Sequence, residues 1–320
     1  MSGPRAVAAG SQGAGGPNNR WVEPLEMTLG DIPRERGAPL APLTTYRVGG
    51  PADLTISPRT VEELQRTVRA CREAGVLFHV LGRGSNVLIG DKGIRGAVLL
   101  LRALDWVRQD GETLVCGAGA DCTGAAAVAL WAGLTGLEFF HYLPGSVGGA
   151  AFMNARAFEQ EVSQVWTHAL LVTAEGELRE TDLCPGDFRY KFSPLQASGE
   201  LAAELTLKLA PGDREAIAAR MAANEEKRRS NGELDFPSCG CVFKNDRRIG
   251  APSGRLIDAS GLKGFAMGGA QVSLSHANFV VNRGGATAAE IRAVIEHVRA
   301  EVQRRTGFLL ELEVRFLGEF

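Results

Sequence analysis

The chain has 320 residues and a formal net charge of −2, with 45% hydrophobic and 22% charged residues. A chain of this length usually forms two or more domains, and this composition excludes wholesale disorder. The small net charge removes the electrostatic case for a dedicated nucleic-acid binder, so we expect no nucleic-acid partner.

Targeting and metal-binding patterns are also lacking in the sequence. No stretch approaches the roughly 18 apolar residues that a membrane span requires, and the first residues lack the apolar core of a signal peptide. Six cysteines in a chain of this length do not indicate a disulfide scaffold. Cys239 and Cys241 lack a second Cys/His pair at ligand spacing. We therefore expect a cytoplasmic protein with no membrane partner and no metal.

The first 42 residues are predicted to be a disordered or irregular extension. Residues 1–20 are mostly Gly, Ala, Ser, Pro and Asn, and prolines interrupt residues 21–42. Regular structure is expected to begin at Leu43.

Residues 60–101 predict a helix followed by strands. Thr60 and Glu63 match a capping box, and Gly75 ends the helical pattern. Strands are predicted over residues 76–81, 87–89 and 97–101, with the glycine-rich loop 82–86 between the first two. A dinucleotide-binding fingerprint needs a helix directly after its glycines, so a Rossmann fold is disfavoured. A nest of backbone N–H groups that binds phosphate remains open.

The rest of the chain continues this alternation. A helix is predicted over residues 124–132, a second glycine loop over 142–150, and strands over 169–173 and 203–209. Pro211-Gly212 marks a domain boundary, followed by a charged helix that ends near Asn231. Thr287 and Glu290 match the capping box of a last helix, with one apolar face (Ile291, Val294, Ile295, Val298, Val302) and Gly307 at its end. Residues 310–316 alternate strictly and predict a strand with Leu310, Leu312, Val314 and Phe316 inward.

Four segments combine glycine with polar or reactive side chains: Tyr46-Arg-Val-Gly-Gly-Pro-Ala52, Leu81-Gly-Arg-Gly-Ser-Asn-Val-Leu88, Pro144-Gly-Ser-Val-Gly-Gly-Ala150 and Pro237-Ser-Cys-Gly-Cys-Val-Phe-Lys-Asn245. A single glycine loop is more often a tight turn than a ligand cradle. Two such loops in one half of the chain make binding of a pyrophosphate about as plausible as two structural turns, and both alternatives stay open.

Together with Met153-Asn154-Ala155, Gly261-Leu-Lys-Gly264, Gly269-Ala-Gln-Val-Ser273, His276-Ala-Asn-Phe279 and the closing Glu-Val-Arg-Phe-Leu-Gly, these segments resemble the UDP-N-acetylenolpyruvoylglucosamine reductase (UDP-N-acetylmuramate dehydrogenase) family. The resemblance runs from about residue 43 to residue 317. The short spacing between Tyr190 and Cys241 is similar to the form of the family that lacks an inserted capping subdomain.

The resemblance implies an α+β fold. It implies a vanillyl-alcohol-oxidase-type FAD-binding domain of two α/β subdomains over residues 43–211 and a C-terminal α+β substrate-binding domain over residues 212–320. The implied reaction is the reduction of UDP-N-acetylglucosamine enolpyruvate to UDP-N-acetylmuramate, with FAD as cofactor and NADPH as hydride donor. The pyrophosphate of FAD would lie on residues 82–86 and its ring system near residues 145–149. The implied cofactor-binding residues are Arg47, Gly49, Gly50, Gly82, Arg83, Gly84, Ser85, Asn86, Gly145, Ser146, Gly148, Gly149 and Asn154.

Two acids are implied for protonation. Cys241 stands where the family usually has a proton-donating serine, and a thiol, with a reference pKa near 8.5, can keep that role. The alternative is that Cys241, like Cys239, is a small buried hydrophobic residue. Glu313 matches the family's second acid, although alternation puts Glu311 on the same face.

The largest departure from the family is at Lys191, which replaces the arginine that would polarise the substrate carboxylate. Lysine keeps the charge but loses the planar fork, so bidentate geometry is lost. Arg156 or Arg189 could restore a guanidinium.

The implied substrate-binding residues are Tyr190, Lys244, Asn245 and Gln271, and a monomer is expected. Two other functions remain open: a flavin oxidoreductase of the same fold acting on another substrate, and a catalytically inactive nucleotide-sugar-binding homologue.

Overall fold

The computed structural model describes residues 20–246 and 250–320. The predicted disorder of residues 1–19 lies outside these described ranges. The helices in them are α1 (Val22–Leu29), α2 (Val61–Glu73), α3 (Cys122–Ala132), α4 (Val147–Phe152), α5 (Leu195–Ser198), α6 (Arg214–Ser230), α7 (Ser253–Ala259) and α8 (Ala288–Thr306). None of these helices is long and apolar enough to cross a bilayer.

The strands, in chain order, are β1 (Arg34–Arg36), β2 (Ala52–Ile56), β3 (Phe78–Leu81), β4 (Val87–Ile89), β5 (Ile94–Leu100), β6 (Val107–Asp110), β7 (Thr113–Gly117), β8 (Leu134–Thr135), β9 (Arg156–Ala157), β10 (Gln160–Glu161), β11 (Trp166–Val172), β12 (Leu178–Asp182), β13 (Leu201–Lys208), β14 (Ala210–Pro211), β15 (Ser238–Cys241), β16 (Ala266–Met267), β17 (Ala270–Val272), β18 (Phe279–Asn282) and β19 (Arg315–Leu317).

The chain divides into two compact units, each with its own hydrophobic core. Among the described residues, unit 1 comprises 20–38, 53–83 and 96–225, and unit 2 comprises 39–52, 84–95, 226–246 and 250–320. Two short segments from the first hundred residues therefore belong to the unit that contains the C-terminus. The functional division into residues 43–211 and 212–320 stays a prediction.

Unit 1 is built on two sheets. A four-stranded sheet has the order β1-β2-β5-β3, in which β3 runs parallel to β5. A five-stranded sheet has the order β12-β11-β13-β7-β6, and all its pairs are antiparallel. Helix α2 connects β2 to β3, which lie on either side of β5 in this sheet. The predicted helix and strands of this region are confirmed, with bounds shifted by a few residues.

The start of α2 shows one half of the predicted capping box. The Thr60 hydroxyl accepts a hydrogen bond from the Glu63 amide, at 3.2 Å. The Glu63 carboxylate, however, accepts from the amide of Arg59 at 2.7 Å and pairs with the Arg59 guanidinium. The carboxylate therefore anchors the residue before the cap.

The prediction that residues 21–42 are irregular was wrong, because α1 and β1 form there. Val22, Leu25 and Leu29 lie on one face of α1 and are buried. Pro24 does not prevent this helix, because it lies in the first turn, where the backbone N–H needs no helical partner. A proline interrupts a helix when it lies in the interior, whereas Pro24 is compatible with a helix start.

The second glycine segment is also partly helical, which the prediction of a loop over residues 142–150 missed. Ser146 is the N-cap of α4, and its hydroxyl accepts from the Gly149 amide at 3.2 Å. A Cβ at Gly148 would lie 2.8 Å from the carbonyl oxygen of Ala118. The glycine therefore allows α4 to pack closely on the segment after β7.

Unit 2 consists of an antiparallel sheet in the order β15-β18-β17-β16, with α8 packed against it. The predicted capping box of α8 is complete: Thr287 and Glu290 exchange side chain-to-amide hydrogen bonds, each of 3.1 Å. The predicted apolar face (Ile291, Val294, Ile295, Val298, Val302) is buried, and Gly307 ends the helix in a left-handed conformation. Asp91 adds two further hydrogen bonds of 2.8 Å, from the amides of Ala288 and Ala289.

The predicted last strand is much shorter than residues 310–316. Only β19 is a regular strand, and it runs parallel to β4. Leu310 and Val314 are buried as predicted, whereas Leu312 and Phe316 are only partly buried against the core. The preceding residues instead form backbone hydrogen bonds with the segment after β15, where Leu312 bridges to Phe243.

Candidate active site

The first glycine loop carries an ion-pair network in unit 1. Arg83 pairs with Asp105 at 2.9 Å and with Asp121 at 3.4 Å. The Arg102 guanidinium donates a hydrogen bond of 3.1 Å to the carbonyl of Gly82. Burial lowers the pKa of Arg102, and the neighbouring Arg83 cation lowers it further. Two guanidinium groups and two carboxylates thus hold the start of the loop.

Three amides of the second glycine segment are paired within unit 1. The amides of Val147 and Gly148 donate to Ala120 and Ala118 at 2.8 and 2.9 Å, and Gly149 donates to Ser146. The carbonyl of Gly145 accepts from Cys122. Because these groups are paired within unit 1, this segment can offer a flavin ring close backbone contact and little amide donation.

Tyr190 and Lys191 form the corner of a two-residue hairpin in unit 1. Arg189 and Phe192 close it with backbone hydrogen bonds of 3.1 and 2.9 Å. Lys191 has a φ of +57°, a left-handed conformation that costs an L-residue about 1–2 kcal/mol. Asn154 is buried, and its side-chain amide donates to the Arg189 carbonyl at 3.2 Å. A contact from Asn154 to a cofactor would therefore come from its backbone.

The segment from Tyr46 to Ala52 lies in unit 2, and its backbone packs tightly against neighbouring residues. Arg47 has a φ of +57°, and its amide donates to the Thr44 carbonyl at 3.2 Å. The Gly50 amide donates to Gly90 at 2.9 Å, and a Cβ at Gly49 would lie 2.9 Å from the Cβ of Ile89. Arg47 is exposed, so its side chain is accessible to a ligand.

The rest of the first glycine loop, Gly84 to Asn86, has the properties of an anion-binding site and is called the cradle below. The amides of Gly84, Ser85 and Asn86 donate no hydrogen bond to any atom within the described residues. Gly84 has a φ of +65°, the left-handed step that curves consecutive N–H groups toward one point. Three consecutive N–H donors suit the pyrophosphate of FAD, so the residues present fit that group.

Gly84→Ala is expected to weaken FAD binding. A Cβ there collides with the carbonyl oxygen of Leu43 and lies 2.8 Å from the Cα of Thr44, so the cradle must shift. Added strain of about 1–3 kcal/mol corresponds to roughly a 5- to 150-fold loss of affinity. The flavin absorbance of the purified variant and titration of its apoprotein with FAD measure this loss.

Gly111→Ala is the matched control, because Gly111 has a φ of +56° and no atom lies within 4 Å of an added Cβ. That variant has the backbone strain of a positive φ without a steric clash, so it should keep its FAD. Equal FAD affinity in the two alanine variants would contradict the cradle.

Unit 2 brings Cys241 and Glu313 together. The Glu313 amide donates to the Val242 carbonyl at 2.8 Å, which joins the end of β15 to the segment before β19. The Asn86 side chain donates to the Glu313 carbonyl at 3.1 Å, and the Arg315 amide donates to the Asn86 carbonyl at the same distance. The cradle and both predicted acids therefore belong to one hydrogen-bonded framework.

The pKa of Cys239 also indicates that Glu313 lies near the end of β15. The pKa of the Cys239 thiol is raised to about 12, mainly by burial and in smaller part by the charges of Glu313 and Cys241, while the Tyr46 hydroxyl acts in the opposite direction. Cys239 is fully enclosed in the core of unit 2, whereas Cys241 is partly exposed. Cys239 thus has the environment of a buried hydrophobic residue, and Cys241 can reach a ligand.

Glu311 and Glu313, which alternation could not separate, differ in the structure. Glu311 is exposed and forms an ion pair of 2.5 Å with Lys244. Glu313 is half-buried and influences Cys239. The structure therefore separates the two carboxylates, because Glu311 pairs with Lys244 and the charge of Glu313 acts on Cys239.

The remaining predicted substrate residues also lie in unit 2. Asn245 is exposed, and its side-chain oxygen accepts from the Ser253 amide at 2.8 Å. The Gln271 side chain donates to the Gly264 carbonyl at 3.0 Å. Asn278 is buried and exchanges hydrogen bonds of 2.9 and 2.8 Å with the backbone of Phe243. Asn278 therefore braces the Lys244 segment.

The predicted catalytic residues are divided between the units: Lys191 lies in unit 1, and Cys241 and Glu313 lie in unit 2. Sequence reasoning missed Gln196, Asp105 and Asp121, which hold the Lys191 turn and the Arg83 side chain. No local pattern identifies Gln196, since it bonds to a carbonyl 44 positions away.

Two family models match the chain: an FAD binding domain over residues 52–182, and the C-terminal domain of UDP-N-acetylenolpyruvoylglucosamine reductase over residues 232–317. The UDP-N-acetylenolpyruvoylglucosamine reductases of Pediococcus pentosaceus and Halalkalibacterium halodurans are 43% and 41% identical over 281 residues, which are 88% of this chain and 93% of each relative. The crystal structure of UDP-N-acetylenolpyruvylglucosamine reductase from Thermus caldophilus matches with a TM-score of 0.75 at 34% identity, covering 89% of this chain and 98% of that one.

Proposed function

The chain belongs to the UDP-N-acetylenolpyruvoylglucosamine reductase family, and on this premise we propose how its own residues carry out the family's reaction. It is an FAD-dependent oxidoreductase of peptidoglycan precursor synthesis that uses NADPH to reduce UDP-N-acetylglucosamine enolpyruvate to UDP-N-acetylmuramate. Membership also confirms the predicted α+β fold with a vanillyl-alcohol-oxidase-type FAD-binding domain.

The observation that carries the proposed roles is the framework in unit 2 that joins the Gly84–Asn86 cradle to Glu313 and Cys241. When bound, FAD would supply the hydride-transfer chemistry that links NADPH to the enolpyruvyl substrate. Gly84, Ser85 and Asn86 hold the pyrophosphate of FAD by their amides, and the predicted contacts at Arg47, Gly49, Gly50, Gly82 and Arg83 remain part of this proposal. Gly145, Ser146, Gly148 and Gly149 line the ring system.

Lys191 stabilises the charge that develops on the substrate. Hydride addition to an alkene conjugated with a carboxylate moves negative charge onto the neighbouring carbon and the carboxylate oxygens. An ammonium group aimed at those oxygens interacts more strongly as the charge grows, which is the kind of interaction that lowers a barrier. The left-handed backbone at Lys191 supports this role, because residues in such strained conformations cluster at functional sites.

Cys241 donates the proton that completes the reduction. Its sulfur is partly exposed at the end of β15, while the neighbouring Cys239 is enclosed. Glu313 orients the substrate carboxylate region or restores the Cys241 proton. Glu313 and Cys241 lie far apart in the sequence, but the hydrogen bond from the Glu313 amide to the Val242 carbonyl joins their segments. General acid catalysis by a positioned group contributes about 10²- to 10⁴-fold to a rate.

Lys244, Asn245, Gln271 and Tyr190 bind the uridine diphosphate portion. A diphosphate requires a cation, and a side-chain amide can form hydrogen bonds with the edge of uracil or with a phosphate oxygen. In unit 2 the Lys244 ammonium is already paired with Glu311, so a diphosphate would compete with that carboxylate.

The experiment that tests the function follows the flavin and NADPH of the purified holoenzyme. We expect yellow protein whose flavin bleaches with NADPH and faster NADPH oxidation when UDP-N-acetylglucosamine enolpyruvate is added. Bleaching without acceleration would favour an oxidoreductase acting on another substrate. A colourless protein that takes up no FAD would favour the inactive nucleotide-sugar-binding alternative.

We further propose that the enzyme is a cytoplasmic monomer. Its nucleotide-sugar substrate and NADPH are both metabolites of the cytoplasm, which supports the location. Sedimentation equilibrium of the FAD-loaded protein tests the monomeric state, and cell fractionation tests the location.

A further inference from the structure

The Lys191 turn is a constrained structure within unit 1. Lys191 occupies the third position of the four-residue turn from Arg189 to Phe192, and its φ is +57°. Turns of this kind usually place Gly or Asn there, because those residues adopt a positive φ without a steric penalty. A lysine in this place persists only when its surroundings hold the turn in position.

Gln196 supplies one such restraint. This residue of α5 donates from its side-chain nitrogen to the Lys191 carbonyl at 3.0 Å and to the Phe152 carbonyl at 2.7 Å. Both partners are acceptors, so the group between them must be the NH₂ end of the amide. Phe152 is the last residue of α4, so the glutamine ties the turn to the end of that helix.

Asn154 supplies the opposing restraint on the same turn. Its side-chain nitrogen donates to the Arg189 carbonyl at 3.2 Å, and its oxygen accepts from the Ser163 amide at 2.9 Å. The carbonyls before and after the Tyr190–Lys191 pair are therefore each bound by a side-chain amide. The turn is fixed at both ends to the α4 side of unit 1.

We propose that Gln196 is a positioning residue that holds the Lys191 ammonium in place for reduction of the substrate. The inference rests on the proposed role of Lys191. Gln196 touches neither cofactor nor substrate in this proposal and acts through the backbone of Lys191. Misplacement of a charge-stabilising group by about 1 Å can slow a reaction by about 10²-fold.

Gln196→Met tests this, because methionine has a similar length and cannot donate either hydrogen bond. The two half-reactions of the FAD-loaded enzyme are followed by anaerobic stopped-flow absorbance. Reoxidation of reduced flavin by UDP-N-acetylglucosamine enolpyruvate should slow by about 10- to 100-fold. Reduction of the flavin by NADPH should be unchanged, which also shows that the variant is folded.

Gln65→Met is the matched control, because Gln65 of α2 likewise donates from its side chain to a backbone carbonyl in unit 1, that of Gly176, at 3.1 Å. It should change neither half-reaction. If Gln196→Met slows both half-reactions equally, or neither, the inference is wrong.

A double-mutant cycle separates a positioning role from a general structural one. In a Lys191→Ala background, Gln196→Met should slow reoxidation no further, because the group that it positions is gone. A further loss in that background would overturn the inference. Normal reoxidation in Lys191→Ala alone would contradict the proposed role of Lys191, whereas a slow Lys191→Ala with a normal Gln196→Met would contradict the Gln196 inference alone.

Discussion

Replacing Cys241 with alanine is expected to leave the reduction of FAD by NADPH intact and to slow overall turnover by about 10²- to 10⁴-fold. The thiol is partly exposed at the end of β15 and shares the framework of Glu313 and the Gly84–Asn86 cradle. Alanine keeps the strand but removes the proton donor, so only the step after hydride transfer should suffer. Formation of UDP-N-acetylmuramate by the reduced enzyme in a single turnover with the enolpyruvyl substrate measures the loss.

Two cysteine variants make the result specific. Cys241→Ser replaces the thiol with the hydroxyl that the family usually has at this position, and it should retain much of the turnover. Cys239→Ala removes a buried thiol of the unit 2 core two residues away and should keep most of it. Normal turnover in Cys241→Ala would remove Cys241 from the mechanism, and equal losses in Cys239→Ala would indicate damage to the core instead.

Helices whose ends are set by neighbouring residues were predictable from the sequence. The start of α8 depends on a reciprocal bond between Thr287 and Glu290, and its end on the left-handed Gly307. These interactions join residues a few positions apart, so a sequence pattern records them directly. The additional cap from Asp91 joins residues nearly 200 positions apart, and no local pattern contains it.

The errors in the fold have a common physical origin in tertiary packing. Helix α1 forms because Leu25 and Leu29 are buried in the core of unit 1, which outweighs the interrupting prolines nearby. Helix α4 forms in spite of two glycines, and Gly148 allows it to pack closely against Ala118. In both cases the deciding contact lies outside the segment, and propensity alone pointed to irregular structure.

Some residues of the candidate site could likewise be identified from the sequence, and others could not. Motifs sufficed to identify Cys241, Glu313 and Lys191 as candidates, because the family resemblance carries residue types in order. They could not separate Glu313 from Glu311, since the distinction depends on the ion pair between Glu311 and Lys244. They also could not identify Gln196, whose role follows from bonds that only the folded chain makes.

Replacing Lys191 with alanine is expected to slow reoxidation of the reduced flavin by about 10²- to 10³-fold, the usual effect of removing one group that stabilises developing negative charge. Lys191→Arg keeps the cation and restores a planar fork, so it should remain active. Stopped-flow reoxidation at saturating substrate, together with substrate affinity, separates stabilisation of the transition state from binding of the carboxylate.

Arg156→Ala and Arg189→Ala test whether a guanidinium replaces the family's arginine. The Arg189 guanidinium lies 4.5 Å from the centroid of the Phe192 ring, and Arg156 is half-buried in β9. Stacking on Phe192 occupies the Arg189 guanidinium within its own hairpin, so we expect each arginine variant to reoxidise faster than Lys191→Ala. If either arginine variant is slower than Lys191→Ala, the charge is stabilised by that arginine, and the lysine at the turn serves another purpose.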